Sequence, residues 1–189
     1  MPKIADIQET PNPNAVKFIL KEPVSYGTSH SFKNIEDAEK DILAKSIFDV
    51  GDVVSVFYMD KMITVEKTDE ADWDEVLPEL AVPIRAAESV KSTNGAGNGT
   101  GEKIGGAIGV ALSDDPKIAE INAILDDRIR PYLASDGGWL EIVSLEENVL
   151  KIRYEGACGS CPSSLTGTLM AIENMIQEEI DPEIQVVVV

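Results

Sequence analysis

The chain has 189 residues, of which 34 are acidic and 16 basic, giving a net charge of −18. Acids outnumber bases on both sides of Ser113, which argues against a nucleic-acid partner, because phosphate contacts need lysine and arginine. No stretch approaches the roughly 20 apolar residues of a membrane span, and two cysteines three positions apart do not make a disulfide framework.

Met1–Thr10 lacks the charged-then-apolar pattern of a secretory signal and carries Asp6 and Glu9. The expected location is therefore the cytoplasm, or an organelle for a processed form. Ala15–Leu20 alternates, with Val16, Phe18 and Leu20 on one face, and reads as a strand that Pro11 and Pro13 keep extended at its start. Glu36–Val50 places Ala38, Ile42, Leu43 and Ile47 at helical spacing and stops at Gly51. Val53–Tyr58 and Met62–Lys67 predict a hairpin turning at Met59-Asp60-Lys61. Asp72–Ser89 reads as a helix with Trp73, Val76, Leu77, Leu80 and Ile84 inward, kinked or broken near Pro78. His30, the single histidine, is expected in a surface loop.

Ser92–Gly109 is dense in glycine with Ser, Thr and Asn and reads as a flexible linker. It divides the chain into a first domain, 1–91, a linker, 92–112, and a second domain, 113–189. Both are small α/β units, so the fold class is α+β. In the second, Asp114–Leu133 is a helix capped by Ser113 or Asp114, with Ile118, Ile121, Leu125, Ile129 and Tyr132 inward and a bend at Pro131. A turn at Asp136-Gly137-Gly138 leads to a hairpin of Trp139–Leu145 and Val149–Tyr154, turning at Glu146-Glu147-Asn148. A helix over Pro162–Glu179 follows, with Leu165, Leu169, Ile172 and Ile176 inward. The last strand, Ile184–Val189, is apolar enough to need a central or covered place. The order is α-β-β-α-β.

The chemistry concentrates in Gly156-Ala157-Cys158-Gly159-Ser160-Cys161-Pro162, between a strand and a helix. Pro162 suits the first helical position and puts Cys161 beside the cap. The positive end of the helix dipole then favours thiolates, the form that binds iron or zinc. Iron–sulfur clusters commonly take four thiolates, and this chain offers Cys158 and Cys161. Two copies facing across a symmetry axis would supply four. The same pair also suits thiol–disulfide exchange, although the strand–helix–strand lead-in of a thioredoxin-type domain is missing. Structural zinc, with its four ligands, would also need a dimer.

Residues 129–189 resemble the C-terminal domain of NifU, the NFU-type iron–sulfur scaffold and carrier domain. The likeness rests on Ile129-Arg130-Pro131-Tyr132-Leu133, Asp136-Gly137-Gly138, Gly156 to Ser164 and Thr168-Leu169. Thr10-Pro11-Asn12-Pro13-Asn14, Lys17-Phe18, Ser46–Tyr58 and Ile63-Thr64-Val65 with Trp73 resemble the Nfu N-terminal domain. The resemblance implies a non-enzymatic carrier that holds a 4Fe–4S cluster, or sometimes 2Fe–2S, between two protomers and passes it to apo-proteins. It places the two cluster ligands on Cys158 and Cys161. It implies partners among apo iron–sulfur clients and cluster donors, with the first domain recognising clients or other assembly factors, or else serving as a plain stabilising domain. Trp139 departs from the family's acidic residue after the two glycines, and packing at the strand start is its simplest role. Gly167 weakens the last helix by about 1 kcal/mol against alanine.

Overall fold

The computed structural model describes residues 2–87, 116–157 and 162–189. The chain divides into two compact units, 1–108 and 109–189, and the fold is α+β with one sheet in each. The expected linker, Ser92–Gly109, and the Ser113 or Asp114 cap lie outside the described residues.

The first unit is an antiparallel sheet of β1 (Ile4–Glu9), β2 (Ala15–Leu20), β3 (Ser29–Phe32), β4 (Val53–Met59) and β5 (Met62–Lys67), ordered β1-β2-β5-β4-β3. Its core face carries Val16, Phe18, Leu20, Val56, Tyr58, Ile63 and Val65. Two helices cover it, α1 (Ile42–Phe48) with Ala44 and Ile47, and α2 (Trp73–Ala86) with Val76, Leu80 and Ile84. Full burial of a side chain of this size contributes about 1.5–3 kcal/mol.

The predicted hairpin turns at Asp60-Lys61, with Met59 paired to Met62. Two expectations fail here for local reasons. The helix expected over Glu36–Val50 begins only at Ile42, because the Asp41 carboxylate accepts from the Ala44 N–H at 2.8 Å and caps it there. Ahead of it, Asn34 accepts from the Asp37 N–H and successive three-residue turns carry the chain. Ala38 is still buried, but Ile42 is 89% exposed. Helix α2 runs unbroken through Pro78 and Pro83. An interior proline costs about 3 kcal/mol. Neither ring lies among the buried residues Val76, Leu80, Ala81 and Ile84, whose packing offsets that cost.

His30 sits on β3 rather than in a loop, half-buried and stacked on Tyr58 with centroids 4.5 Å apart. The Tyr58 hydroxyl donates to Asp41 at 2.5 Å. Burial first, then the Asp41 carboxylate, raise that phenol above its usual range. Burial lowers the His30 imidazole below 6.5, opposed by Asp41. With the folded pKa below the unfolded one, the unfolded chain takes up the proton first as pH falls. The stability tied to His30 is thus complete above about pH 6.5 and declines below it. Proton NMR of this single histidine should give a midpoint under 6.5 that returns toward 6.5 in urea. A folded-state midpoint at or above 6.5 would contradict the burial argument.

The second unit begins with α3 (Pro116–Arg128) and α4 (Arg130–Ser135), separated at Ile129 where Pro131 was expected to bend the chain. The break shifts the helical phase. Ile118, Ile121, Leu125 and Ile129 are buried as expected, but Leu133 replaces Tyr132, which is 72% exposed. Strands β6 (Gly138–Glu146) and β7 (Val149–Gly156) pair antiparallel around Glu147 and Asn148, both at positive φ as a tight hairpin turn requires. Helix α5 (Pro162–Glu179) then crosses back to β8 (Gln185–Val188), parallel to β7. Ile172 and Ile176 are buried and Leu169 packs against the core, while the Leu165 side chain lies outside the described residues. Strand β8 occupies an edge rather than a central place, with Val186 buried in the core. β6 already holds the other side of β7, so the returning chain has only the free side. Val188 and Val189 are 43% and 54% exposed there.

Candidate functional site

Cys158 and Cys161 lie outside the described residues, so the site is built from what holds the two ends of their loop. At the entry, β7 ends on Gly156, opposite Gly138 at the start of β6. Gly156 has φ +67°, a conformation that side-chain-bearing residues rarely adopt. The next residue, Ala157, is 3% exposed and donates its N–H to the Gly137 carbonyl at 3.1 Å. At the exit, Pro162 opens α5. The cysteine pair thus falls, in sequence, between a pinned strand end and a helix start.

The pin is itself fixed by α4. The Asp136 N–H donates to the Tyr132 and Leu133 carbonyls, and the Gly137 N–H to that of Ala134. Gly137, at φ +77°, then turns the chain into β6 with its carbonyl aimed at Ala157. The Asp136-Gly137-Gly138 turn and Ala157 are therefore neighbours in space, although about 20 residues separate them in sequence. That adjacency was not evident from spacing.

Arg130 ties this corner together. Its Nε donates to the Leu140 carbonyl at 3.0 Å, one terminal nitrogen to Asn122 at 3.0 Å and the other to Asp126 at 2.7 Å. Its guanidinium carbon stands 5.3 Å from the centre of the Trp139 ring, within reach of a cation–π contact. Trp139 thus packs at the strand start, as its simplest role required. The partners of Arg130 lie on α3 and β6.

Other ties hold α5 in place. Arg128 bonds Glu179, Lys117 bonds Asp181 at 2.7 Å, and Gln177 donates to the Ile184 carbonyl at 2.8 Å. The Asp181 carboxyl is lowered below its ordinary range chiefly by the Lys117 hydrogen bond and then by the Glu183 N–H. Gly167 meets nothing within 4 Å where a Cβ would stand, so no close backbone approach within the chain requires it.

Among the described residues no group of three or more His, Cys, Asp or Glu side chains could hold a metal, and no helix is long and apolar enough to cross a membrane. Two thiolates fit a cluster's needs only when a second pair completes them.

Comparison with known proteins places these features. Residues 4–89 match the family model for the scaffold protein Nfu/NifU N terminal, and residues 121–187 match the NifU-like domain. The chain is 35% identical over 179 residues to the human NFU1 iron-sulfur cluster scaffold homolog, mitochondrial, covering 94% of this chain and 68% of that protein. It is 35% identical over 173 residues to NifU-like protein 4, mitochondrial, of Arabidopsis thaliana, covering 89% of this chain and 60% of the relative's length. A crystal structure of a Staphylococcus aureus protein is 33% identical and covers 43% of this chain and 98% of its own, with a TM-score of 0.39.

Proposed function

Because this chain belongs to the Nfu/NifU family of scaffold proteins, we propose that it carries an iron–sulfur cluster, held between two copies by Cys158 and Cys161 of each. The observation that supports this reading most is the placement of the only two cysteines. They fall between the pinned end of β7 and the first residue of α5, inside the segment that matches the NifU-like domain. The cluster is cargo, 4Fe–4S or 2Fe–2S, and its recipients are apo iron–sulfur proteins. A site completed only by a partner opens when the copies separate, which suits transfer better than permanent electron transport. No step requires catalysis by a side chain. The domain limits 1–91 and 113–189 belong to the same proposal. The two relatives compared above carry "mitochondrial" in their names.

Anaerobic reconstitution with ferrous iron and sulfide tests the proposal. A cubane carrier should take up about four irons and four sulfides per two chains, develop a visible absorption band and double its mass as it loads. No uptake, together with rapid reduction of protein disulfides, would assign the pair to thiol–disulfide exchange. Bound zinc without a visible band would assign it to a structural site.

A further inference from the structure

The turn Thr10-Pro11-Asn12-Pro13-Asn14 between β1 and β2 takes no part in the cysteine site, yet it is held from several sides. The Thr10 hydroxyl bonds the Asn12 and Ala15 carbonyls, each at 2.9 Å, and accepts from the Asn12 N–H at 3.2 Å. The buried Asn12 amide donates to Glu66 at 3.1 Å and accepts from the Asn14 N–H at 2.9 Å. The Trp73 indole N–H donates to the Pro13 carbonyl at 3.0 Å and fastens the turn to the start of α2. Pro11 and Pro13 stay exposed, with their rings fixing the backbone. A turn so fastened loses little freedom when a ligand meets it.

Between this turn, the end of β1 and the start of α2 lies a cleft of about 650 Å³. Its apolar walls include Ile7, Pro11, Trp73 and Leu77, and its charged residues are Glu9 and Asp74; the rest of the lining is uncharged. The register explains the grouping. Ile7 stands opposite Phe18 and Glu9 opposite Val16, both core residues, so Ile7 and Glu9 face the side where α2 packs. Further carboxylates adjoin. Asp69 bonds the Asn14 side chain, Asp72 caps α2, and Glu75 follows in its first turn. Two positive features oppose them. The Lys67 ammonium stands 5.3 Å from the centre of the Trp73 ring, but it is buried, bonds Asn14 and the Thr68 carbonyl, and does not line the cleft. The N-terminal end of the α2 dipole amounts to about half a charge. The carboxylates outweigh both.

We propose that this cleft docks a segment of a partner protein that carries an apolar or aromatic side chain next to a lysine or arginine. The apolar side chain packs among Ile7, Pro11, Trp73 and Leu77, and the cation meets Glu9 and Asp74. The lining identifies this occupant. Its only charges are carboxylates, which repel an acidic segment and leave a neutral one without a partner for them. Its apolar walls favour the long stems of lysine and arginine as well as the neighbouring side chain, since those stems pack while the charged head stays at the rim. The volume lies in the range of sites that enclose a few side chains. At −18 the whole chain attracts basic partners, and the cleft gives them one place to seat. The purpose of this docking rests on the cluster reading, because a carrier must engage donors and recipients. The binding itself requires no cluster, since every residue named lies in the first unit.

Nitrogen–proton NMR of the full, cluster-free chain tests the docking with short, end-blocked peptides of glycine and serine that carry one central Phe-Arg or Leu-Lys pair. The Trp73 indole signal and the amides of Thr10, Asn12 and Asn14 should shift and saturate, while the indole of Trp139, the other tryptophan, stays in place. Exchanging the peptide's cation for glutamate, or its apolar residue for glycine, should weaken binding at least about tenfold. Glu9→Lys combined with Asp74→Lys should lose the basic peptides by a similar factor and take up the acidic ones instead. Both side chains are exposed, so the variant keeps its fold, and unchanged amide signals from α1 check this. Three results overturn the proposal: no shift at Trp73 up to about 2 mM peptide, equal binding of acidic and basic peptides, or binding of arginine amide as strong as that of the peptides, which would make the occupant a small cation. Cluster uptake by a chain that binds none of the peptides would remove the docking alone. Peptide binding by a chain that takes up no cluster would remove the carrier reading and leave the docking.

Discussion

Cys158→Ser and Cys161→Ser should each abolish cluster uptake, leaving iron and sulfide at least about tenfold below the wild type after anaerobic reconstitution. The severity follows from symmetry. When each copy contributes two ligands, a single replacement removes two of four, and no serine hydroxyl offers a thiolate near neutral pH. A site completed within one chain would lose only one ligand and could keep a damaged cluster. The cost to folding should be small. Ala157 is held by the Gly137 carbonyl and α5 begins at Pro162, and the bond that holds Ala157 involves no sulfur atom. Circular dichroism and the visible band should therefore separate, the first unchanged and the second lost. Full cubane loading by either variant would show that the four-thiolate, two-copy arrangement is wrong. Doubling of mass on loading in the wild type, absent in both variants, would tie the cluster to the pairing of second units.

Much of the second unit is legible in its residues because its signals are local. The turn at Glu147-Asn148, the bend before Pro131 and the limits of α5 each depend on two or three adjacent positions. The position of β8 is not, because it depends on which side of β7 stays open, a property of the whole sheet. Tyr132 and Ile42 keep a helical spacing that the chain breaks at Ile129 and before Asp41, so a periodic stripe places them wrongly. Strands β1 and β3 leave no clear trace. In β1 the irregularity after Ile4 moves its two isoleucines out of the two-residue period. In β3, Ser29-His30-Ser31 is too polar to signal a strand, and an edge position tolerates that. At the candidate site the cysteine motif is plain, whereas its support is not. The Gly137 carbonyl reaches Ala157 only because β6 and β7 pair Gly138 with Gly156. No spacing rule connects Arg130 to Asn122 and Leu140, eight positions back and ten ahead.

Arg130→Ala should destabilise the second unit by about 2–4 kcal/mol. The side chain is only 11% exposed, and it bonds the Leu140 carbonyl and the Asn122 amide oxygen while lying near the Trp139 ring. Truncation leaves both oxygens short of a donor where water enters poorly, at about 1–3 kcal/mol for each group left fully unsatisfied. It also removes the aliphatic stem and the ring contact, the latter about 0.5–1 kcal/mol. The Asp126 pair adds little, because Asp126 is 63% exposed and solvent screens it. Arg130→Lys should recover less than half of the loss. An ammonium presents one point of donation where the planar fork reaches α3 and β6 at once. Urea unfolding followed by Trp139 fluorescence, in a Trp73→Phe background, reads the second unit alone. The same variant tests what Arg130 is for. Its nitrogens are engaged with α3 and β6, so at low temperature, where Arg130→Ala remains folded, cluster uptake should match that of the wild type. If uptake is lost while the fold persists, Arg130 acts on the cluster directly, and the positive potential at the thiolates does not come from the helix start alone.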